Sequence, residues 1–428
     1  MIYSLPLTRR QRRKSQKNYC IFAALNGISY MCLGETIIVL FAIKLNAPNG
    51  MVAALGAMIY FAFFMLPVGK LVAARVGAAR SQAVVWTLRN IVAVGVALSA
   101  VTEYYGFHNL ALFQVLLGAC LFYGMRAAGV VMGQPLIGNI SSSAERSRVL
   151  GVSNALFYAG CMAALSLIWF ILSQMESIWV IMAIIIFGAC VGVFSTRYIR
   201  RIDESSALIE AARRSIMPEI REAWKIPRIR KLIFAMYTAY MAVIMLGASS
   251  MLCIKRGYGV SDTAALYFSL MQFLAAALFS WTSAKIIRKH GSKFAIVWSF
   301  YILLTVAGLW IFAPMQLDYW HATVIFLIIG GAFVVCSNAM TTYSLHVAPE
   351  RLWVAASMLT SVVTSVGAGV SGILVTSTLF KYIDKIGVQW VPVNRFKVYF
   401  SIALVILLLM SVVVWKLPDD AEKEAKNT

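Results

Sequence analysis

Two ionisable residues lie deep inside long apolar stretches of the chain, where they could carry proton chemistry. Glu35 lies in SYMCLGETIIVLF and Arg126 in GMRAAGVVMGQP. A charge in membrane hydrocarbon costs ~2.5–3.5 kcal/mol or more, so it normally faces a cavity or a partner. At 1.5 Å per residue, the two positions lie within ~6 Å of each other in depth. The pattern favours an ion pair between the first and fourth apolar segments.

This pair has more than one interpretation. Burial favours the protonated form of Glu35 and a nearby guanidinium favours the ionised form, so a movement that separates the two would transfer a proton. Alternatively, the pair is a permanent link between two helices, or the two side chains do not touch. Arg126 could also bind an anionic substrate group through its planar fork. Arg89, about two turns from the inner end of its segment, is expected to extend to the membrane interface.

The segments that hold these residues are long enough to cross a bilayer. The 428-residue chain is 61% hydrophobic and only 13% charged, which excludes a soluble domain. The apolar runs lack the alternation of barrel strands, so they predict an all-α polytopic membrane protein. Twelve spans are predicted, over residues 19–45, 50–68, 82–103, 108–135, 149–173, 177–196, 232–254, 263–287, 294–315, 321–345, 352–380 and 398–415.

The net charge of +21 follows the expected topology of such a protein. Most Lys and Arg residues lie in the N-terminal tail, in alternate loops and in the central segment, so they mark one side as cytoplasmic and place both termini there. This distribution argues against a nucleic-acid partner. The seven cysteines are scattered through apolar segments without disulfide or metal-ligand spacing, so we expect small core residues and no metal site.

An internal repeat divides the chain into two halves. Ile21-Phe22-Ala23 falls on Ile233-Phe234-Ala235, and the segment 83–86 falls on 295–298, at a shift of about 212 residues. The predicted organisation is an N-terminal six-helix bundle over 1–196, a cytoplasmic central loop over 197–231 and a C-terminal six-helix bundle over 232–428. Apolar residues recur at helical spacing after Asp203. They predict either an amphipathic helix on the inner headgroups or a solvated charged linker.

With twelve spans, two parallel halves and basic loops after spans two and eight, the chain resembles the major facilitator superfamily over essentially its whole length. The family's loop after span two usually reads Gly-x-Leu-Ala-Asp-Arg-x-Gly-Arg-Arg, and here the stretch is GKLVAARVGAAR. It retains Gly69, Arg75, Gly77 and Arg80 of a cytoplasmic gate loop, with one extra residue between its glycines. The family's acidic residue is missing from this loop, so the family's charge-relay gate is expected to be altered.

The resemblance implies the fold of two pseudo-symmetric bundles and a central substrate cavity between them. Several polar side chains fall in spans that the family uses to line this cavity, and each could instead form a hydrogen bond between helices. These residues are Asn26, Tyr30, Tyr123, Asn154, Tyr158, Tyr237, Tyr240, Gln272, Asn338 and Thr341.

The predicted function is secondary active transport of a small solute by alternating access, coupled to protons through Glu35 and Arg126. The absence of the exporter signature from Gly151–Cys161 favours a symporter, whereas the Thr-Ile-Ile-Val that follows Glu35 resembles drug–proton antiporters. A non-transporting sensor with the same fold is the rival class. No enzyme constellation or nucleotide motif is visible. We expect a monomer in the plasma membrane (the inner membrane of a bacterium) that needs a proton gradient and no cofactor.

Overall fold

The fold is a set of long helices, seen in a computed structural model that describes residues 2–4, 6–48, 51, 55, 58, 62–175, 177–386 and 392–419. At five positions only the backbone is described, namely Glu35, Thr36, Phe64, Asp262 and Thr263. Contacts between Cα atoms divide the chain into two compact units. Unit 1 contains residues 1–216 together with Glu350–Met358, and unit 2 contains residues 217–349 and 359–428.

Unit 1 consists of helices and one short sheet. In chain order its elements are β1 (Ile2–Tyr3), α1 (Arg9–Cys32), α2 (Glu35–Lys44), α3 (Leu66–Val76), α4 (Ala78–Ala97), α5 (Ser99–Tyr104), α6 (His108–Val130), α7 (Gly133–Ile140), α8 (Arg146–Gln174), α9 (Ile178–Arg200), β2 (Glu204–Ser205) and α10 (Ser206–Arg213). Single 3₁₀ turns precede α3 and α8, at Ala62–Met65 and Ser143–Glu145. The two strands pair in parallel, with Ile2 opposite Glu204.

Unit 2 consists of helices with several wide turns. Its elements are α11 (Ile216–Lys225), α12 (Pro227–Val243), α13 (Ser249–Leu252), α14 (Asp262–His290), α15 (Ser292–Ile311), α16 (Tyr319–Val347), α17 (Trp353–Ser361), α18 (Gly369–Lys385) and α19 (Pro392–Trp415), with α11 and α17 beginning in unit 1. A 3₁₀ turn over Glu350–Leu352 precedes α17, and π-helical turns cover Ile244–Ala248, Cys253–Gly257 and Val362–Ala368. Such turns widen a helix locally and often lie near functional residues.

Eleven helical segments of the described chain are long and apolar enough to cross a membrane. They correspond in order to eleven of the predicted spans, with ends that differ by up to ten residues. They cover Arg9–Lys44, Ala78–Tyr104, His108–Ile140, Ser143–Gln174, Ile178–Arg200, Pro227–Gly257, Ala264–His290, Ser292–Ile311, Tyr319–Val347, Glu350–Lys385 and Pro392–Trp415. About half of the predicted span over 50–68 lies outside the described residues, so the count of twelve stays a prediction.

The first span is held against α8 by two glycines. A Cβ atom on Gly27 would lie 2.0 Å from the carbonyl oxygen of Phe157, and one on Gly160 would lie 2.3 Å from that of Ala24. Only glycine permits so close an approach of two helix backbones, and this kind of packing is common between membrane helices. The contact fixes the position of Asn26 and Tyr30, which lie on either side of Gly27 in the same helix.

Candidate functional site

Arg126 lies on α6 beside the first span. Its guanidinium carbon is 5.2 Å from the centroid of the Tyr30 ring, which in turn lies 5.6 Å from the Phe157 ring of α8. Arg126 is half-buried. No described side chain forms a hydrogen bond or an ion pair with it, so its contact to the ring is a cation–π interaction. The arrangement leaves the donors of the guanidinium fork available to an anion.

The predicted partner of Arg126 lies on the first span. Glu35 is the first residue of α2, five residues after Tyr30 and just past the interruption between α1 and α2. Its side chain lies outside what the structure describes, so the ion pair between Glu35 and Arg126 stays a prediction.

Arg89 does not extend to the membrane interface, contrary to the sequence-based expectation. The side chain is 1% exposed. Its guanidinium group donates from one terminal nitrogen to Oδ1 of Asn90 (3.1 Å) and Oγ of Ser29 (3.4 Å). The expectation was wrong because the third span begins at Ala78 rather than at residue 82, one turn earlier. Arg89 therefore lies about 16 Å along α4 from the start of the helix.

Aromatic rings surround the Arg89 guanidinium. Its central carbon lies 4.3 Å from the Trp86 ring centroid and 5.5 Å from the Phe122 ring centroid. Phe122 precedes Arg126 by one turn on the same face of α6. Since Arg89 contacts Ser29 and Arg126 contacts Tyr30, both arginines lie where α1, α4 and α6 meet. Sequence analysis missed this role of Arg89, although the Trp-x-x-Arg-Asn pattern on an apolar helix was a usable signal.

The other predicted cavity residues of unit 1 differ in exposure. Asn26 is buried, and its Oδ1 atom has no hydrogen-bond donor among the described residues. Tyr123 is also buried, with its ring perpendicular to that of Phe122 at 5.2 Å. Asn154 and Tyr158 are half-buried on α8. Among these predicted cavity residues, Asn26 therefore offers a spare acceptor.

In unit 2, two predicted tyrosines lie on α12. The Tyr237 hydroxyl donates to Oγ of Ser371 at 2.8 Å, beside the π-helical turn that interrupts the eleventh span. Tyr240 meets the Phe333 ring edge-on at 5.7 Å. Thr341 is half-buried on α16. These contacts place Tyr237 at a point where the helix geometry is irregular.

Asn338 and Gln272 connect α14 with α16. The Asn338 side-chain amide donates to Oγ of Ser280 (3.1 Å) and of Ser283 (2.9 Å). The backbone carbonyl of Gln272 would lie 2.0 Å from a Cβ atom on Gly330. For Asn338 this is the geometry of the alternative interpretation, in which a polar side chain links neighbouring membrane helices, whereas at Gln272 it is the backbones that pack closely.

The predicted gate loop is a tight turn between α3 and α4. A Cβ atom on Gly69 would lie 1.9 Å from the carbonyl oxygen of Ala128, so α3 and α6 touch at this point. Gly77 has φ = +93°, a conformation that favours glycine. Arg75 and Arg80 are exposed. Gly77 ends one helix and starts the next, which leaves the first amides of α4 in need of an acceptor.

Glu204, which follows the sixth span in the chain, supplies that acceptor. Its carboxylate oxygen Oε2 accepts from the backbone amides of Ala78 (2.7 Å) and Ala79 (3.2 Å). A Cβ atom on Gly77 would lie 2.2 Å from Oε1. Burial raises the pKa of Glu204, although the two amides and the nearby Arg80 act in the opposite direction. The loop that lacks its own acid thus receives one from beyond span six, which sequence analysis did not foresee.

The segment Asp203–Arg214 forms what we call the clasp, because it is attached to unit 1 on both sides of Glu204. The Asn139 side chain donates to Oγ of Ser205 (2.6 Å) and accepts from the backbone amide of Ser205 (3.2 Å). The backbone amide of Asp203 donates to Oγ of Ser15 (3.0 Å). At the other end, Nζ of Lys70 donates to the carbonyl of Arg214. The apolar face of α10 is covered by protein, since Leu208, Ala211 and Ala212 are buried. The expectation that this face lies on lipid headgroups is therefore wrong for α10.

Trp353 completes this end of unit 1. The guanidinium carbon of Arg146 lies 4.9 Å from the centroid of a Trp353 ring. A Cβ atom on Gly138 would lie 2.5 Å from the same indole. The neighbouring Val354 and Met358 belong to an apolar cluster with Leu208 of the clasp. The start of the eleventh span is therefore an integral part of unit 1.

These helices define a multi-pass, all-α membrane protein. The profile of the Major Facilitator Superfamily matches residues 19–372, which is most of the chain. The chain therefore belongs to this superfamily of membrane transporters. None of the curated protein sequences compared with the chain matches it.

Solved structures share the fold. The proton:xylose symporter XylE is 13% identical, with a TM-score of 0.72 over 96% of this chain and 97% of that one. The bacterial homologue of the iron transporter ferroportin, in an outward-facing state, is 12% identical, with a TM-score of 0.69 over 94% and 98%. The human organic anion transporter MFSD10 is 12% identical, with a TM-score of 0.69 over 94% and 99%. At such low identity the likeness concerns the fold alone.

Proposed function

We propose that the protein is a proton-coupled secondary active transporter that moves a small solute by alternating access. Glu35 is the proton-binding group and Arg126 its partner. The protein works as a monomer in the plasma membrane, or in the inner membrane if the source is bacterial. It uses the proton gradient and no cofactor. The transporter fold supports the general activity, and the two intramembrane charges support the coupling.

The observation that carries the coupling is the position of Arg126. Its guanidinium is half-buried, lies over Tyr30 and has no hydrogen bond to a described side chain. A guanidinium group held in this way can still pair with a carboxylate on the first span. Glu35 begins α2 five residues after Tyr30, just past the interruption between the two helices.

Proton transfer would follow from a change in the distance between the two groups. While Glu35 and Arg126 are paired, the positive charge favours the ionised carboxylate. When a movement of the helices separates them, the desolvated carboxylate takes up a proton from the accessible side. Return of the pair releases this proton on the other side of the membrane. The solute crosses in the same cycle, so its transport is driven by the proton gradient.

Replacement of the acid by its neutral isostere tests this mechanism. A thermal-shift screen of anions, sugars and amphiphiles against the full-length wild-type protein and Arg126→Ala first identifies a solute that stabilises the fold. In proteoliposomes, Glu35→Gln should then abolish proton-driven uptake of that solute but retain counterflow exchange. Glu103→Gln is the matched control, since Glu103 pairs with His108 at the end of α5 and not with Arg126. Normal proton-driven uptake by Glu35→Gln would refute the proposed coupling.

A sensor with the same fold would behave differently in this assay. It would bind the solute but show no substrate-dependent proton flux in wild-type proteoliposomes. Absence of flux with a stabilising solute would therefore reject the transport function, and not only the role of Glu35.

A further inference from the structure

The interior of unit 1 has an excess of positive charge. Between residues 19 and 200 the sequence contains four acidic residues, namely Glu35, Glu103, Glu145 and Glu176. Glu103 forms its ion pair with His108 where α5 gives way to α6, and Glu145 lies in the 3₁₀ turn before α8. Of the four, Glu35 is the acid that the sequence places deepest within an apolar segment. Two arginines, Arg89 and Arg126, lie in the interior of the same unit.

The carboxylate of Glu35 cannot neutralise both arginines, whichever of the two it pairs with. Arginine stays protonated in proteins, so both guanidinium groups carry a full charge. One carboxylate can neutralise one of them, and the other remains a cation in a low-dielectric interior. Such a charge is normally paired or faces a cavity. A further negative charge would balance the second guanidinium, and the two other described acids of these spans have different partners, since Glu103 pairs with His108 and Glu145 accepts from Gln16.

The side chains of the two arginines contact the same parts of α1 and α6. Arg89 contacts Ser29 and Phe122, and Arg126 contacts Tyr30, which is the next residue along α1. Phe122 and Arg126 are one helical turn apart on α6. Two like charges in such proximity repel each other unless an anion lies between or beside them.

Two buried hydrogen-bond donors without acceptors in the described part of the chain belong to Arg89 and its neighbour Asn90. Nε of Arg89 and the side-chain nitrogen of Asn90 are buried and have no acceptor among the described residues. A buried donor without an acceptor destabilises the folded protein, so two such donors at one place indicate that a ligand supplies the acceptor. On the far side, Gly192 of α9 lies against Asn90 and Ser29, where a Cβ atom would come within 2.5 Å of both side chains. A ligand would therefore reach these donors from the side of α1 and α6, where Arg126 is partly exposed.

We propose that unit 1 contains an anion-binding site formed by Arg126, Arg89 and Asn90, and that the transported solute carries a carboxylate or phosphate group. Arg126 makes the direct contact through its fork, which matches the oxygens of either group. Arg89, held against Asn90 and Trp86, supplies the second positive charge from the protein interior. This inference rests on the proposed function, because it assigns the substrate class of the same transporter.

Charged and neutral probes distinguish the site from a general solute cavity. Thermal unfolding of the full-length protein in lipid nanodiscs should be measured with inorganic phosphate, glycerol 3-phosphate, succinate and citrate. Glycerol and xylose serve as uncharged probes, and sodium chloride at equal ionic strength serves as the salt control. We expect at least one of the anions to raise the midpoint by a few degrees, as binding to the folded state alone requires. If none of the anions exceeds sodium chloride, the proposal is wrong.

Asn90→Asp is the sharpest variant, because it places a carboxylate beside Arg89 at constant shape. If the site lacks a negative charge, this variant should unfold at a higher temperature without ligand and should lose the shift with anions. Asn109→Asp makes the same chemical change at an exposed position of α6 and should do neither. An Asn90→Asp protein that retains the full anion shift would overturn the role of Arg89 and Asn90.

Arginine variants test the two cations separately. Arg89→Lys keeps the charge but loses the fork, so it should retain part of the anion shift, whereas Arg126→Met should lose all of it. Arg200→Met removes an exposed arginine at the end of α9 and should keep the full shift. Equal shifts in wild type and Arg126→Met would reject the site.

Glu35→Gln separates this inference from the proposed coupling. We expect it to retain the anion shift and to lose proton-driven uptake. If it loses neither, the proton-coupling mechanism fails while the anion site stands. If wild-type uptake is proton-driven but no anion stabilises the protein, the anion site fails while the coupling stands.

Discussion

Replacement of Glu204 by alanine should destabilise unit 1, although Glu204 is not part of the proposed anion site at Arg89 and Arg126. The carboxylate accepts hydrogen bonds from the amides of Ala78 (2.7 Å) and Ala79 (3.2 Å), and both of these residues are 1% exposed. Without the carboxylate, two buried amides at the start of α4 lose their acceptor. Each such amide costs about 1–3 kcal/mol. We therefore expect a loss of about 2–6 kcal/mol in the free energy of unfolding.

Ionisation of the buried Glu204 carboxyl group reduces this stabilisation. Burial raises the pKa of Glu204 in the folded protein above its ordinary value of 4.5. The contribution of this group to stability is therefore fully present below pH 4.5, and it falls as the pH rises through the folded-state pKa. Glu204→Gln keeps an oxygen acceptor but cannot ionise. The stability difference between wild type and Glu204→Gln should thus shift in favour of glutamine as the pH rises through this interval.

Unfolding by SDS in mixed micelles, followed by tryptophan fluorescence, measures both effects. The variants are Glu204→Ala and Glu204→Gln, and Glu210→Ala is the control because Glu210 is an exposed residue of the same clasp. The reasoning is refuted if Glu204→Ala unfolds with the wild-type free energy. It is also refuted if Glu204→Gln follows the wild-type pH dependence without any difference.

A double-mutant cycle locates the origin of the effect. Gly77→Ala introduces a side chain at φ = +93° and directs its Cβ atom to within 2.2 Å of the Glu204 carboxylate. It should therefore displace the same acceptor, so Gly77→Ala and Glu204→Ala together should cost less than the sum of their separate effects. Simple additivity would show that the glycine acts only through its backbone conformation.

Two further substitutions test the packing of unit 1. Gly27→Ala should lower the free energy of unfolding by about 1–3 kcal/mol because its Cβ would overlap a carbonyl of α8, whereas Gly95→Ala, with no atom within 4 Å, should be neutral or slightly stabilising. Trp353→Ala should cost about 3–5 kcal/mol through lost packing and the lost contact with Arg146, whereas Trp415→Ala, at an exposed position, should cost little. The same unfolding assay measures all four variants, and equal effects within either pair would contradict the packing described here.

The spans and the family were predictable from the sequence because hydropathy and length depend on residues that are neighbours in the chain. A continuous apolar run of this length satisfies its backbone hydrogen bonds only as a helix in lipid, whatever its tertiary contacts. The depth of Arg89 was not predictable with the same method. It depends on where α4 begins, and that is determined by the turn at Gly77 and by an acceptor from another part of the chain.

The environment of the predicted site residues also depends on contacts that spacing does not reveal. Asn338 and Asn26 are both asparagines on apolar helices, and the sequence assigns them the same role. In the structure, the Asn338 amide has two serine acceptors, whereas Oδ1 of Asn26 has no described donor. The difference arises from the residues that face them on neighbouring helices. Of the two, Asn26 is therefore the stronger candidate for a ligand contact.

The gate loop shows why a motif can be incomplete in sequence and complete in space. The loop Gly69–Arg80 lacks the acidic residue that its resemblance implies, and a comparison of the loop alone suggests a weakened gate. The start of α4 nevertheless receives a carboxylate, because the clasp brings Glu204 to it from beyond span six. What the helix requires is an acceptor for its first amides, and its chain position is irrelevant. Because the acid belongs to the segment that follows the sixth span, any movement that releases the clasp also removes the acceptor from α4. The stability of this end of unit 1 is thereby coupled to the central loop of the transporter.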